Sequence, residues 1–382
     1  MKPSSVLGLA KGALGETVTA SVTNNQKLIP SLFIIGNFSS GWDSASPQSC
    51  EFLANALKQS GVSVFTASRV QNRALRLIDM LLALVRNRDL FGVAIIDVFS
   101  TSGLVWAEAS AALGSKLGKS IVLVLRGGNL LRRYQKSPSR LGRLFSKADA
   151  IVSPSDYLAE GFRDRGFCVH VIPNPVELNS LPFRERSKVI PRAIWMRCFD
   201  RDTYNPQMAV RAIGKIRETF PDAKLVMVGP DRGALADIRH LAKRLGVSDA
   251  IEFPGYLRKP ELLFRAHECD ILLNTNNIDN MPVSVIESQA MGLCVVCTAV
   301  GGVPHLVTHE VDGMLVPSDD DEAMAAAVVR LVRDPDLAAR ISRNARARSE
   351  QYSWPKVFEM WKRLLSEITS KAKDNSTGQN AN

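Results

Sequence analysis

The sequence predicts an α/β protein with two doubly wound parallel sheets that face each other across a cleft. Three observations support this fold class. The chain of 382 residues is too long for one ordinary core and fits two domains of about 150 to 180 residues each. Short apolar runs alternate with segments of helical periodicity, which is typical of parallel sheets covered on both faces. A charged, proline-bracketed segment at 181–191 interrupts this alternation and predicts an interdomain linker.

The first half of the chain is predicted to form a domain over residues 30–183. Apolar runs indicate buried strands at 31–36, 62–66, 93–98, 121–125, 150–153 and 169–172. Helical spacing of apolar positions occurs at 50–60, 104–117 and 156–165. Residues 1–29 are polar and small, so we expect a disordered or poorly ordered leader without a signal-peptide core.

The second half is predicted to form a domain over residues 190–353. Strands are expected at 192–196 and 224–228, and a helix at 320–333. A terminal amphipathic helix over 354–370 is followed by a polar tail, 371–382, that we expect to be disordered. In such folds a ligand binds at the carboxyl ends of the strands, here facing the cleft.

Residues 274–304 form the most informative segment of the sequence. Pro282 fits the first turn of a helix because it lacks the amide hydrogen that would be unpaired there. Gly292 is expected to end this helix, since the residue after the last turn often needs a positive φ. The first amides of the helix would then form an anion site, suited to a pyrophosphate: those of Val283, Ser284 and Val285.

Two carboxylates flank this predicted helix start. Asp279 precedes it and Glu287 lies within the helix, with seven residues between them. Carboxylates beside an anion pocket would repel the anion, so another function is expected for them. Hydroxyl-rich groups, such as a sugar and a ribose, would donate hydrogen bonds to both.

The segment resembles the donor-binding element of retaining family-4 glycosyltransferases, which have the GT-B fold of two Rossmann-like domains. That family's pattern is Glu, seven residues, Glu, then a small-residue helix end, an apolar strand and G-G-[VI]-P-E. Here Asp279 takes the place of the first glutamate, Glu287 is the second, and GGVP at 301–304 is the turn. His305 stands where glutamate is usual. The resemblance extends over about residues 30–368 and is strongest after 148, within a subgroup that has Asp-x7-Glu.

The resemblance implies roles for individual residues. Asp279, with the backbone of Asn280 and Met281, would contact the transferred sugar, and Glu287 the nucleotide ribose. Arg197 would neutralise the donor pyrophosphate together with the helix that starts at Pro282, Val283 and Ser284. The resemblance therefore implies three catalytic residues: Asp279, Glu287 and Arg197.

The sequence departs from the family at two cationic positions. The family has a lysine about five residues after the arginine, and here that position falls near Asp202. Either Arg201 replaces it or one positive charge is missing. A histidine that usually follows the fourth strand is replaced by Arg126-Gly127. Arg126 can clamp an anion, either the donor phosphate or an acidic acceptor.

Two further donor contacts are implied, each with a structural alternative. Gly36 and Asn37, in a stretch reaching Gly41, correspond to the family's glycine-rich loop, although they equally fit an ordinary turn. Tyr256 follows the strand at 251–253, where family members hold the nucleobase. It would stack on the base, or else belong to the core.

The resemblance implies a retaining, metal-independent hexosyltransferase of glycan or glycoconjugate biosynthesis, such as polysaccharide biosynthesis. It would use a nucleotide-diphospho-sugar and a hydroxyl acceptor, without a cofactor. Asp200 and Asp202 spell D-x-D, a metal-binding signature of another fold, but they lie where GT-B enzymes use cations. Two alternatives remain: a catalytically silent protein that binds a nucleotide or glycan, and a sugar-nucleotide epimerase of the same fold.

The net charge of +10 is concentrated in one stretch. Between Glu108 and Asp149 there is no acidic residue, and the stretch contains nine basic ones: Lys116, Lys119, Arg126, Arg132, Arg133, Lys136, Arg140, Arg143 and Lys147. This pattern fits a solvated face, an anionic membrane surface or a phosphorylated acceptor. Nucleic acid is disfavoured, since only Tyr134 and Phe145 are present for base stacking.

The six cysteines lack the spacing of a disulfide framework. Cys294 and Cys297 lie in a predicted strand, where residues three apart point to opposite faces. Buried thiols in a reducing cytoplasm are therefore expected, with or without peripheral attachment to the inner face of the membrane. No apolar run approaches the length of a transmembrane helix.

Overall fold

The computed structural model describes residues 29–39 and 48–379, with side chains up to residue 372. In these ranges the chain forms two six-stranded parallel sheets, each covered by helices on both faces. The prediction of a two-domain, doubly wound α/β fold is thus confirmed. Of the predicted leader, residues 1–28 lie outside the described part, as do residues 40–47, which include Gly41.

The first domain has the strand order β2-β1-β3-β4-β5-β6. Helices α2, α3, α5 and α6 pack against one face of its sheet, and α1 packs against the other. The elements are β1 Leu32–Ile35, α1 Ser49–Gln59, β2 Val64–Ala67, α2 Arg73–Arg86, β3 Val93–Val98, α3 Leu104–Lys116, β4 Ser120–Leu125, α4 Leu130–Lys136, α5 Pro138–Phe145, β5 Ala150–Ser153, α6 Asp156–Arg163 and β6 Val169–Val171.

The second domain has the strand order β12-β11-β10-β7-β8-β9. Strands β8 and β9 are added on one side of β7, whereas the next strand along the chain, β10, pairs with the other side of β7. This switch creates a crevice between the loops that follow β7 and β10. The elements are β7 Arg192–Met196, α7 Arg201–Tyr204, α8 Pro206–Thr219, β8 Lys224–Val228, α9 Leu235–Arg244, β9 Ile251–Gly255, α10 Lys259–His267, β10 Ile271–Asn274, α11 Val283–Ala290, β11 Cys294–Thr298, α12 Val303–Leu306, β12 Met314–Val316, α13 Asp321–Arg333 and α14 Pro335–Ser349.

The last helix, α15 Trp354–Gln379, returns to the first domain. Val357, Trp361 and Leu365 are buried in the same core as α1, and Trp354 Nε1 donates to Ser60 Oγ at 2.9 Å. The helix is longer than predicted and enters the segment expected to be disordered. Buried apolar positions are found up to Ile368, and the helix itself continues to Gln379. None of the described helices is long and apolar enough to cross a bilayer.

The predicted linker at 181–191 is fastened to the second domain. Arg186 is fully buried and donates to the carbonyls of Met291 and Cys269 at 2.6 and 3.0 Å. Its guanidinium lies 3.3 Å from the carboxylate of Asp270, which also accepts from the amide of Ile190 at 2.9 Å. Burial lowers the pKa of Arg186 to about 10. The linker is therefore a fixed strap, held by a buried charge pair that composition alone does not reveal.

The prediction for the paired cysteines is confirmed. Cys294 faces the core under α13 and α14, whereas Cys297 faces the core under α11. Burial raises the pKa of Cys294 to about 12 and that of Cys297 further. Both thiols are therefore protonated structural side chains.

Candidate active site

Arg197 and Asp279 meet at the crevice of the second sheet. Arg197 directly follows β7, and Asp279 lies in the loop that follows β10. Their side chains form a salt bridge of 2.9 Å, and only 17% and 16% of their side-chain surfaces are exposed. Residues 82 positions apart in the sequence are thus brought together by strand order.

Asp279 is held by more than the arginine. Its Oδ1 accepts from the amide of Asn280 at 2.7 Å, and its Oδ2 accepts from Nδ2 of Asn276. The carboxylate is therefore fixed in one orientation. A fixed carboxylate can receive hydrogen bonds from a ligand hydroxyl without first being ordered.

Arg197 keeps unused hydrogen-bonding capacity. Its guanidinium lies 5.4 Å from the ring centroid of Tyr204, whose pKa is raised by burial. Its buried Nε has no hydrogen-bond partner among the residues that the structure describes, and neither has Oδ1 of Asn276. Buried polar atoms are almost always paired, so the unpaired Nε of Arg197 and Oδ1 of Asn276 are unusual features of this crevice.

The double glycine supports the loop of Asp279. Gly301 has φ +51°, and a Cβ there would lie 2.0 Å from the carbonyl oxygen of Asp279. A Cβ on Gly302 would lie 1.8 Å from the carbonyl oxygen of Asn280, while the Gly302 amide donates to the backbone carbonyl of Asp279 at 3.1 Å. The turn is glycine-rich because the backbone of the Asp279 loop packs directly on it.

Helix α11 lies where the sequence indicates, with two differences at its start. Pro282 is the N-cap and precedes the first turn instead of belonging to it, while Gly292 has φ +79° just after the last turn, as expected. The amide of Val285, however, donates to the Pro282 carbonyl at 3.1 Å. The prediction that three amides are free is therefore wrong for Val285. A tight first turn uses that amide and leaves Val283 and Ser284 at the helix start.

Glu287 lies one turn into α11 and pairs with Lys259, the first residue of α10. The carboxylate is largely buried, with 17% exposed, whereas the lysine is about half exposed. The sequence does not single out Lys259, because α10 and α11 are separated by a strand. Tyr256 is half-buried in the turn that leads to Lys259, so the predicted base and ribose contacts lie on one side of the second domain.

Arg126 is engaged within the first domain. Its Nε bonds with Asp97 at 2.9 Å, with 11% and 3% of the side chains exposed, and another nitrogen donates to Asn174 Oδ1 at 2.6 Å. Asp97 lies in β3, whose register places it beside the end of β4. The predicted anion clamp is thus already paired with a buried carboxylate, which the sequence did not reveal.

The glycine positions of the first domain are explained by packing. A Cβ on Gly36 would lie 2.8 Å from Cys50 Sγ, and one on Gly127 would lie 2.5 Å from the amide nitrogen of Ser100. Asn37 Oδ1 accepts from Arg76 at 2.6 Å. These contacts favour a structural reason for both glycines.

The two domains join at the loop before α11. Asn280 Nδ2 donates to the carbonyl of Leu125 at 3.1 Å, and Ser155 Oγ donates to Asn280 Oδ1. Asn174 Nδ2 donates to the carbonyl of Met281 at 3.1 Å. The Met281 carbonyl, predicted to contact the sugar, is thus used by the first domain, and the loop is held at the carboxyl ends of both sheets.

The remaining charged candidates have partners of their own. Arg201 pairs with Asp237 at 2.7 Å on the surface. Asp200 accepts from the amide of Thr203 at 2.8 Å as a helix cap. The described residues contain no group of three or more acidic, histidine or cysteine side chains placed to hold a metal. His305 lies at the domain boundary, 6.4 Å from the Tyr157 ring.

Some basic side chains of the stretch 116–147 contact other groups, whereas others are exposed. Arg140 forms two hydrogen bonds of 2.6 Å with Glu108, which raise its pKa. Lys119 lies 5.2 Å from the ring centroid of Phe91. Arg143 and Lys147 are exposed.

Two doubly wound sheets with a polar crevice at their carboxyl ends define a protein of the GT-B fold. Solved structures agree with this assignment. Sucrose-phosphate synthase from Thermosynechococcus elongatus superposes with a TM-score of 0.73 at 18% identity, over 89% of this chain and 99% of that one. Anabaena HepE in complex with UDP gives 0.68 at 15% identity, over 88% and 99%.

Sequence comparison points to a family within this fold. Residues 200–348 match the family described as Glycosyl transferases group 1, which supports placing the chain among these proteins. A D-inositol 3-phosphate glycosyltransferase of Saccharomonospora viridis is 31% identical over 162 residues, 40% of this chain and 38% of that protein. An uncharacterized glycosyltransferase of Haemophilus influenzae is 29% identical over 39% and 42%. The chain thus matches about two fifths of the length of these relatives.

Proposed function

We propose that the protein is a retaining glycosyltransferase that moves a hexose-type sugar from a nucleotide-diphospho-sugar to a hydroxyl acceptor. The observation that supports this most directly is the Arg197–Asp279 pair at the crevice, with a buried Nε that no described residue pairs. A cation with an unused donor suits a phosphate, and a fixed carboxylate suits a sugar hydroxyl.

The pyrophosphate would bind between Arg197 and the start of α11. The amides of Val283 and Ser284 and the helix dipole favour an anion at this position. As the bond between the sugar and the phosphate breaks, negative charge grows on the leaving group. Positive groups placed there in advance stabilise that charge. We therefore propose that no metal is required.

The sugar would lie against Asp279 and the ribose against Glu287. Because Lys259 pairs with Glu287, the ribose hydroxyls would share this carboxylate with the lysine or displace it. In the retaining mechanism proposed here, the acceptor attacks from the leaving-group side, and its proton passes to the departing phosphate. No dedicated protein base is then needed.

Nucleotide binding and turnover test the proposal separately. UDP is the first nucleotide to try, since solved neighbours were crystallised with UDP or UDP-glucose; GDP and ADP complete the panel. Arg197→Ala and Glu287→Ala should each lower kcat/KM by about 100-fold. Arg201→Ala is the matched control, because Arg201 lies in the same loop but pairs with Asp237 on the surface. Unchanged transfer in the Arg197 and Glu287 variants would contradict the proposal, and loss of turnover with EDTA would contradict metal independence.

A catalytically silent, nucleotide-binding protein is the second candidate. This candidate is favoured because the site has fewer positive groups than the family pattern. Asp202 occupies the position of the family's lysine, and Arg201 pairs with Asp237. Tight UDP binding by calorimetry, without transfer to any of a panel of hydroxyl acceptors, would support this alternative.

The acceptor and cellular location are also proposals. We propose an acceptor from glycan or glycoconjugate biosynthesis in the cytoplasm, reached from the first-domain side of the cleft.

A further inference from the structure

Lys259 and Glu287 form an ion pair between two helices of the second domain. Helix α10 begins with Lys259 and follows β9, while α11 carries Glu287 one turn from its start and follows β10. Because the strands are parallel, both helices begin at the carboxyl edge of the sheet. Leu262 of α10 packs against the core that contains Ile286 of α11. Helix packing therefore places this lysine at the edge where the proposed donor site lies.

The two members of the pair differ in burial. The side chain of Glu287 is 17% exposed, whereas that of Lys259 is about half exposed. A surface pair such as Lys215 with Glu322, in which the glutamate is 79% exposed, contributes little because water serves both charges. A largely buried carboxylate has lost most of that water and depends on its partner. Lys259 is therefore the countercharge of Glu287.

The carboxylate of Glu287 keeps one oxygen for another donor. Lys259 contacts Oε1, and no residue in the described part of the chain donates to Oε2. A carboxylate accepts about four hydrogen bonds, so the ammonium and a ligand hydroxyl can share it. The nearby carboxylate of Glu261 accepts from the amide of Arg258 at 3.2 Å, as part of the α10 cap.

We infer that Lys259 is a positioning residue for the nucleotide ribose. It holds Oε1 of Glu287, so that Oε2 accepts hydrogen bonds from the ribose hydroxyls. Such bonds to a charged acceptor are stronger than those between neutral groups, and a carboxylate already held in place forms them without being ordered first. The lysine would thereby make the site select ribonucleoside diphosphates over their deoxy analogues. This inference rests on the proposed function, because it needs a nucleotide bound at Glu287.

Calorimetry of the full chain with deoxynucleotides tests the inference. UDP, GDP and ADP are each compared with their 2′-deoxy and 3′-deoxy forms. For a nucleotide that binds, wild type should bind the ribose form about tenfold more tightly than at least one deoxy form. In Lys259→Met this preference should fall to about twofold, because the carboxylate loses its countercharge and its fixed orientation. A merely structural disturbance would weaken both forms by the same factor and leave the preference unchanged.

Three further variants assign the effect to the ion pair. Lys259→Arg keeps the positive charge and should keep most of the preference. Lys215→Met is the matched control, because it removes a lysine whose glutamate partner is exposed, and it should bind nucleotides as wild type does. Glu287→Gln should itself reduce the preference, and adding Lys259→Met to it should have little further effect, since both act through one carboxylate. Thermal unfolding shows that each variant is folded.

The outcomes separate this inference from the proposed function. If wild type binds none of the three nucleotides, the proposed function fails and the inference fails with it. If wild type prefers a ribose form and Lys259→Met keeps that preference, only the inference is overturned. It is also overturned if Lys259→Met binds the ribose form more tightly than wild type, because the lysine would then compete with the ribose. Wild type without any preference would show that Glu287 does not bind the ribose.

Discussion

At the scale of single residues, the proposed site depends on the partner of Arg197. Its guanidinium pairs with Asp279, so a donor phosphate bound as proposed would share or replace that partner. The carboxylate keeps two other hydrogen bonds, from Asn276 and from the Asn280 amide. It can therefore remain in place when the arginine turns toward a ligand.

Replacing Asp279 should separate nucleotide binding from sugar transfer. In Asp279→Asn the arginine loses its charged partner, so we expect UDP to bind as tightly as in wild type or more tightly. Turnover should fall by about 100-fold, since the amide accepts weaker hydrogen bonds from the sugar hydroxyls than a carboxylate does. Calorimetry with UDP and a transfer assay measure the two effects. A loss of UDP affinity beyond about tenfold would show that Asp279 does not compete with the phosphate.

At the scale of elements, the strap at 181–191 joins the domains and is anchored on the second. Arg186 is buried against Asp270, just before β10, and donates to the carbonyl of Met291, just after α11. The strap therefore links β10, which precedes the loop of Asp279, to α11, which carries Glu287. A buried pair of this kind holds geometry more reliably than it adds net stability.

Removing the charge of Asp270 should destabilise the second domain. Asp270→Asn leaves the buried guanidinium of Arg186 without a countercharge, and we expect a loss of about 3 to 5 kcal/mol in the free energy of unfolding. Asp249→Asn is the control, because Asp249 is mostly exposed and pairs with Arg217 at 2.7 Å; its loss should be below about 1 kcal/mol. Urea unfolding measures both. Equal losses would mean that burial of the pair does not matter.

At the scale of the whole molecule, polar contacts at one loop join the two domains at the cleft. Ser155, Asn174 and the carbonyl of Leu125 bind the loop at Asn280 and Met281, and α15 connects the end of the chain to the first domain. Contacts of this size are readily exchanged during domain opening.

Breaking these contacts should open the cleft. In the double variant Ser155→Ala and Asn174→Ala, we expect a larger radius of gyration without nucleotide, measured by small-angle X-ray scattering, because the loop loses its first-domain partners. Ser146→Ala removes only a local bond to Arg143 and should leave the radius unchanged. An unchanged radius in the double variant would show that other contacts determine closure.

Local pattern predicted the elements because their signals lie within a few residues. Proline at the α11 start, glycine at its end and the short apolar runs of the strands each follow from short-range sterics and burial. The free amide of Val285 was predicted incorrectly, and the sequence specified neither the full length of α15 nor the pairing of Arg126 with Asp97. Each depends on a backbone turn or a partner that local spacing does not specify.

The sequence by itself determined the two α/β domains, the position of the Asp279–Glu287 segment and the arginine after β7. Only the tertiary structure decided which charges meet: Arg197 with Asp279, Arg126 with Asp97, Lys259 with Glu287 and Arg186 with Asp270. It also decided that one face of α2 remains uncovered. The physical reason is that periodicity fixes which side of an element is apolar, whereas strand order and helix packing fix which distant side chains become neighbours.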